Sequence, residues 1–147
     1  MPPSIAATPE CCTPPSGMNE RMYQTGTERE VRAFHTMPDM PPPEGERHSH
    51  DYRLTLVVSR EELDDKGMVV DLDVLVGALE ELTGRLQDAD LDEIVAPELG
   101  TEAVTVESFA FWVHGKIGAA IKTPGADLAV RVYENASEFG GYSGVLA

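Results

Sequence analysis

Hydrophobic and polar residues alternate in two segments in the first half of the chain, and this alternation predicts two β-strands. The first strand is expected over residues 28–35, with Val31, Ala33 and His35 on one face. The second is expected over residues 48–59, where alternate positions are first histidines and then core-type side chains. Three consecutive prolines at 41–43 exclude a helix or a central strand between them, so this segment is predicted to be a loop.

Helical spacing of hydrophobic residues appears in the middle of the chain. Leucines spaced three and four apart between Leu72 and Leu86 predict an amphipathic helix of about four turns. A second helix is expected over about residues 105–122, and the acidic segment 87–100 between the two is expected to be irregular. Alternation returns at residues 127–135 and 142–146, which predict a third and a fourth strand. The order ββααββ predicts an α+β fold with an antiparallel sheet.

The N-terminal segment differs in composition from the rest of the chain. It is rich in Pro, Ser and Thr and has no hydrophobic period, so we expect a disordered tail over residues 1–26 and one folded domain over residues 27–147. Its adjacent cysteines, Cys11 and Cys12, cannot close a loop between them, and we expect them to have no catalytic role. The absence of a disulfide framework and of a signal-like N-terminus favours a cytoplasmic location.

Charge excludes two classes of partner. The formal net charge is −15, from 26 acidic and 11 basic residues, and no basic run offsets it. Such a surface repels nucleic acid and anionic membranes, so neither is an expected partner. No apolar stretch approaches the length of a transmembrane segment. A small-molecule ligand is the partner that the composition leaves open.

The histidines are candidate metal ligands. His48 and His50 lie on one face of the predicted second strand, and His35 ends the first. An isolated His-x-His pair is often a surface feature, but a third histidine on a neighbouring strand would complete three nitrogen ligands and leave one position open. An open position is typical of catalytic zinc sites. The fourth histidine, His114, is interpreted as a partly exposed residue of the second helix.

Five motifs in order resemble the 6-pyruvoyltetrahydropterin synthase family, which includes the bacterial 6-carboxytetrahydropterin synthases. An aromatic-x-Ala-x-His strand is matched by VRAFH at 31–35, and a His-Gly-His motif by HSHDY at 48–52. A Gly-Met-Val-Ile-Asp-Phe segment corresponds to GMVVDL at 67–72. The helix start Pro-Thr-x-Glu-x-x-Ala-x-Trp corresponds to VTVESFAFW at 104–112, and a late Glu-Thr to EN at 134–135. The resemblance covers roughly residues 29–143.

The resemblance implies the tunnelling fold, an antiparallel sheet with two helices on one face, in trimers that pair as hexamers with sites between subunits. It implies zinc as the cofactor on the three histidines. It also implies that Glu134 binds the amino-pyrimidinone edge of a pterin, because a carboxylate pairs two-pronged with adjacent N–H donors. Thr105 and Glu107 would lie near the same ring, although a capping role is compatible with both.

The two proton-transfer positions depart from the family pattern. The usual cysteine four residues before the His-x-His is Glu44 here, and the usual Leu-Asp-His motif reads Leu-Asp92-Glu93. We therefore assign Glu44, or Glu46 if the loop register shifts, as the base, with Asp92 and Glu93 as the second acid–base or orienting groups.

Three interpretations stay open for this departure. The carboxylates serve as acid and base on a dihydropterin such as dihydroneopterin triphosphate, as in a family branch that cleaves the side chain to a hydroxymethyl group. Alternatively, the scaffold catalyses another lyase, aldol or cyclisation step, or it only binds a pterin. A cupin-type oxygenase site is disfavoured, because Leu54 and Thr55 stand where that motif needs a glutamate.

Overall fold

The computed structural model describes residues 21–147, which form one four-stranded antiparallel sheet and four helices. The strands are β1 (Tyr23–His35), β2 (His48–Arg60), β3 (Asp127–Tyr133) and β4 (Phe139–Val145). The helices are α1 (Leu72–Leu86), α2 (Leu91–Ile94), α3 (Ala96–Leu99) and α4 (Val106–Ile121). The α+β prediction is confirmed.

The sheet order is β1-β2-β3-β4, so each strand pairs with the one that precedes it in sequence. The β1–β2 register extends from Tyr23 opposite Arg60 to His35 opposite His48. This pairing places the C-terminal end of β1 beside the N-terminal end of β2. The three histidines therefore meet at one end of the sheet.

The two long helices, α1 and α4, pack on one face of the sheet. The inward positions of the strands form the core with four leucines of α1 and two aromatic residues of α4, namely Leu75, Leu79, Leu82, Leu86, Phe109 and Trp112. Leu72, at the start of α1, is exposed. Asp71 caps α1 by accepting from the backbone N–H of Asp73. Thr105 caps α4 through a reciprocal capping box with Ser108. The caps fix where each helix begins and, for α4, the position of the preceding loop.

Three boundaries differ from the sequence-based expectations. β1 begins at Tyr23, before the expected start at residue 28, because its polar first half pairs with the end of β2. The segment 87–100 was expected to be irregular, but it contains α2 and α3, with Asp90 capping α2. β4 begins at Phe139, earlier than expected. Residues 1–20 of the predicted tail 1–26, with Cys11 and Cys12, lie outside the described residues, whereas residues 23–26 belong to β1 and are not a disordered tail.

None of the helices in residues 21–147 is long and apolar enough to cross a membrane.

Candidate metal centre

The three histidines form a compact cluster at the end of the β1–β2 pair. His35 and His48 are direct partners in the register, and Ala33 lies opposite His50. The ligand nitrogens of the three rings all lie within 4.8 Å of one another. The ring centroids are 4.5 Å apart for His35 and His48 and 4.8 Å apart for His48 and His50. The structure thus brings together the side chains that the sequence predicts as ligands.

Backbone carbonyls orient two of the rings. Nδ1–H of the buried His35 donates to the carbonyl oxygen of Val104 over 3.0 Å, and Nδ1–H of His48 donates to that of Glu46 over 2.7 Å. With these tautomers, Nε2 of each ring keeps its lone pair. Metal-bound histidines commonly have this arrangement, in which the second nitrogen donates to a carbonyl or carboxylate.

The remaining nitrogen contacts fit a cation at the centre of the cluster. Nε2 of His35 is buried and has no hydrogen-bond partner, which is costly for an imidazole without a bound ion. Nε2 of His48 lies 3.1 Å from Nε2 of His50. Two nitrogen ligands of a tetrahedral zinc ion, with bonds of about 2.05 Å, lie roughly 3.3 Å apart. The residues therefore fit a metal site with three nitrogen ligands.

Tyr52 supports the cluster from the core side, and the sequence-based assignment did not include it. Its side chain is fully buried, and its ring centroid lies 5.3 Å from that of His50 and 5.2 Å from that of Phe109. Burial raises the pKa of the Tyr52 phenol well above its usual range, and the charges of Glu134 and Asp92 add to the increase. The ring therefore acts as a neutral, fixed wall behind the histidines. Its place in the same alternation as the His-x-His pair was the available sequence clue.

Burial also affects His50. It lowers the pKa of the His50 imidazole below its usual range, and the neighbouring His35 and His48 contribute in the same direction. The carboxylates of Glu134 and Glu44 oppose this decrease. A neutral imidazole is the form that binds a metal ion.

Two predicted carboxylates lie near the histidines. Glu44 is exposed in the loop between β1 and β2, where its carbonyl oxygen accepts from Met37 N–H over 2.8 Å. Glu134 follows β3 directly and lines a cleft of about 530 Å³ together with His50. Glu44 belongs to the loop that joins His35 to His48, so it lies at the same end of the sheet as the cluster. This arrangement offers acceptors for ligand N–H groups or for a proton.

Asp92 and Glu93 differ in their positions. Oδ2 of Asp92 accepts from the backbone N–H of Thr36 over 2.9 Å, directly after His35, while Oδ1 is buried without a hydrogen-bond partner. Asp92 is thus tied to the end of β1. Glu93 is exposed in the first turn of α2. Within residues 21–147, no contact connects its carboxylate to the histidines, and its acid–base role stays a prediction.

Thr105 and Glu107 both lie at the start of α4. The Thr105 hydroxyl accepts from the backbone N–H of Ser108 over 3.1 Å, which is a capping contact. Glu107 is exposed, and its backbone lies against Gly140 of β4. Because His35 donates to the carbonyl of Val104, the residue before Thr105, this helix start is joined to the metal centre.

The chain is an α+β protein with an antiparallel sheet, helices on one face and, at one end of the sheet, a three-histidine cluster that could bind a metal ion. Residues 26–144 match the family model described as 6-pyruvoyl tetrahydropterin synthase. The chain belongs to this family of lyases, and the tunnelling fold is confirmed. A search of curated protein sequences finds no match.

Solved structures agree on the fold. The chain is similar to Caenorhabditis elegans 6-pyruvoyl tetrahydropterin synthase, with 19% identity, a TM-score of 0.66, and coverage of 86% of this chain and 99% of that one. A Plasmodium vivax 6-pyruvoyltetrahydropterin synthase variant, in which a catalytic glutamate is replaced by alanine, matches with 11% identity, a TM-score of 0.65 and the same coverage. An uncharacterized Wolinella succinogenes protein matches with 15% identity, a TM-score of 0.63, and coverage of 82% and 97%.

Proposed function

We propose that this chain is a zinc-dependent lyase that acts on the side chain of a dihydropterin, such as dihydroneopterin triphosphate. The observation that supports the proposal most directly is the three-histidine cluster, one member of which, His50, lines a cleft together with Glu134. In a chain of this family, a metal site beside a ligand-binding carboxylate favours chemistry on a small heterocycle.

His35, His48 and His50 would hold the zinc ion, which would supply Lewis acidity toward a substrate oxygen. The carbonyl oxygens of Val104 and Glu46 fix the tautomers of His35 and His48 before any ligand arrives. This preorganisation lowers the cost of ion binding.

Glu134 would bind the heterocycle. Its carboxylate would accept from two adjacent N–H donors on the amino-pyrimidinone edge, and such pairs are both strong and directional. A site built around this anchor rejects ligands that lack the paired donors, because the carboxylate would then be left without partners.

Glu44 would take or deliver the proton at the substrate side chain. Its place in the loop that joins His35 to His48 supports a position at the same end of the sheet as the cluster. The Plasmodium vivax enzyme also has a catalytic glutamate, which supports a carboxylate in this role. Glu46 remains the alternative base, since both belong to the same loop. Asp92 would orient the end of β1 through Thr36 rather than transfer a proton.

We also propose a homo-oligomer, with trimers that pair as hexamers and active sites between subunits. The edge strand β4 exposes Phe139, Tyr142 and Val145, with 46%, 40% and 71% of their surface accessible. Phe111 of α4 contacts Tyr142 and is also exposed. Exposed aromatic residues beside an edge strand favour a contact between copies of the chain.

One observation favours a second candidate function. Glu93 is exposed in the first turn of α2, and within residues 21–147 its carboxylate has no contact with a histidine. A repurposed enzyme that catalyses another lyase, aldol or cyclisation step would not need that group. A protein that binds a pterin without turnover would need neither Glu93 nor Glu44.

The test is incubation of the zinc-loaded protein with dihydroneopterin triphosphate, followed by mass analysis of the products. Release of triphosphate supports a synthase, and a hydroxymethyl pterin supports side-chain cleavage. A His50→Ala variant serves as the control and should give neither product. Binding without reaction supports the inactive binder, and absence of both binding and reaction rejects the pterin proposal in favour of the repurposed enzyme.

A further inference from the structure

The turn between β3 and β4 contains two carboxylates, and one of them is the proposed anchor of the heterocycle. The turn covers residues 134–138. Glu134 is half-buried and lines the cleft of about 530 Å³ that also contains His50. Glu138, at the other end of the turn, is exposed and does not line that cleft. The turn therefore gives two chemically identical groups different surroundings.

The side chain of Asn135 holds this turn closed. Its Oδ1 accepts from the backbone N–H of Ser137 over 3.0 Å and from that of Glu138 over 2.8 Å. Its Nδ2 donates to Oε1 of Glu138 over 2.7 Å. Asparagine side chains commonly bind the backbone two residues later and stabilise a tight turn in this way. One amide thus binds three groups of the turn, and one of them is the Glu138 carboxylate.

The closed turn fixes Glu134 through its backbone. The N–H of Glu134 donates to the carbonyl oxygen of Glu138 over 3.2 Å, so the two residues are tied across the turn. Side chains alternate between the two faces of a strand, and Glu134 continues the face on which Val132 is buried. His50 belongs to the same face, because the register places Leu54 opposite Val132. Glu134 is therefore held on the side of the sheet that carries the histidines.

Asn135 also determines which of the two carboxylates is available. The amide engages Glu138, whereas within residues 21–147 no group donates a hydrogen bond to the Glu134 carboxylate. We infer that Asn135 is a positioning residue, which closes the turn and occupies Glu138 so that Glu134 alone presents its carboxylate to a ligand in the cleft. Such preorganisation lowers the cost of binding. The inference rests on the proposed function for the identity of the ligand, while the hold on Glu134 can be measured without one.

The first experiment measures the turn without a ligand. Hydrogen exchange of the backbone amides is followed by NMR in the zinc-loaded full chain, for the wild type, Asn135→Ala and Ser137→Ala. Ser137→Ala is the matched control, because within residues 21–147 this serine contributes only its backbone N–H to the turn. In Asn135→Ala we expect the Glu134 N–H to exchange about threefold to tenfold faster, since hydrogen bonds in an exposed turn contribute modestly. Ser137→Ala should exchange at the wild-type rate, and an unchanged rate in Asn135→Ala would overturn the inference.

The second experiment measures ligand binding. Dihydroneopterin is titrated by calorimetry into the same proteins, into Glu134→Ala and into the double variant. Asn135→Ala should weaken binding by about threefold to tenfold, and Ser137→Ala should leave it unchanged. Because Asn135 acts through Glu134, the double variant should bind no more weakly than Glu134→Ala alone. A general loss of structure would instead add its effect to that of Glu134→Ala, and this result would contradict the positioning role.

The outcomes separate this inference from the pterin proposal. Weaker binding by Glu134→Ala with unchanged binding by Asn135→Ala overturns the positioning role and leaves the pterin proposal standing. Glu138→Gln keeps an acceptor for the Asn135 amide and should bind dihydroneopterin as the wild type does. A loss in Glu138→Gln as large as that in Glu134→Ala overturns the inference, because both carboxylates would then bind the ligand. If the wild type does not bind dihydroneopterin, the pterin proposal fails, and faster exchange of the Glu134 N–H in Asn135→Ala still supports the hold on that residue.

Discussion

Zinc should stabilise the folded protein through the histidine cluster, and replacement of one ligand should remove most of that effect. The folded chain gathers three ring nitrogens within 4.8 Å of one another, whereas the unfolded chain does not hold them together. An ion that binds only the folded state stabilises it in proportion to the logarithm of its concentration over Kd. The perturbation is His48→Ala, compared with and without zinc.

The expected magnitude follows from the loss of one of three ligands. At a zinc concentration of 100 times Kd, the wild type gains about 2.7 kcal/mol. Loss of an outer partner of a metal ligand already costs about 10–100-fold in affinity, so loss of His48 itself should cost at least about 100-fold. The same zinc concentration then adds only about 0.4 kcal/mol. For a chain of this size the Tm increases correspond to about 5–10 °C and about 1 °C.

The assay is thermal unfolding followed by circular dichroism, with zinc added after treatment with a chelator. His114→Ala is the matched control, because His114 contacts the carbonyl oxygen of Gly144 over 3.2 Å and lies outside the cluster. The His114→Ala variant should have a lower Tm than the wild type in the absence of zinc. Zinc should raise its Tm by the same amount as it raises that of the wild type. An equal zinc increment in His48→Ala and in the wild type would refute the assignment of the site.

Three further predictions concern carboxylates. Glu44→Gln should abolish turnover of dihydroneopterin triphosphate with zinc content unchanged by elemental analysis, whereas Glu46→Gln should retain turnover; the reverse pattern would move the base to Glu46. Glu134→Ala should weaken pterin binding in calorimetry by about tenfold or more without releasing zinc, and an unaltered Kd would reject the anchor. The pKa of Glu98 lies below its usual range because Lys116 and the sole tryptophan donate to its carboxylate. Glu98→Gln should therefore be less stable than the wild type at pH 7, and this difference in stability should vanish as the pH falls below the folded-state pKa of Glu98. The measurement is urea unfolding followed through tryptophan fluorescence. A difference that persists at pH 2 would exclude the ion pair as its cause.

The sheet and the histidine cluster follow from local patterns in the sequence. The alternation of side-chain types from His48 through Val58 predicts a strand with histidines at one end and core residues at the other. The observed burial of β2 matches this pattern. Antiparallel pairing of two neighbouring strands then brings His35 opposite His48. Such features depend on the chain's own periodicity, so they can be predicted without the tertiary structure.

Features that depend on long-range packing could not be predicted in this way. The acidic segment 87–100 has a composition typical of a loop, but Asp90 caps α2 and the segment lies beside β1, where Phe34 N–H donates to the carbonyl of Ala89 over 2.8 Å. The packing of this segment against β1 brings the Asp92 carboxylate to the backbone N–H of Thr36 and leaves Glu93 exposed.

The loop of residues 36–47 connects two candidate metal ligands, since His35 precedes it and His48 follows it. An ion bound by both histidines would close this loop as a covalent cross-link does. The closure free energy then depends only weakly on loop length, because each doubling costs about 0.6 kcal/mol. Residues in the loop, Glu44 among them, can therefore be inserted, deleted or exchanged while the ion-binding frame persists. New chemistry at this site can evolve by changes confined to one loop.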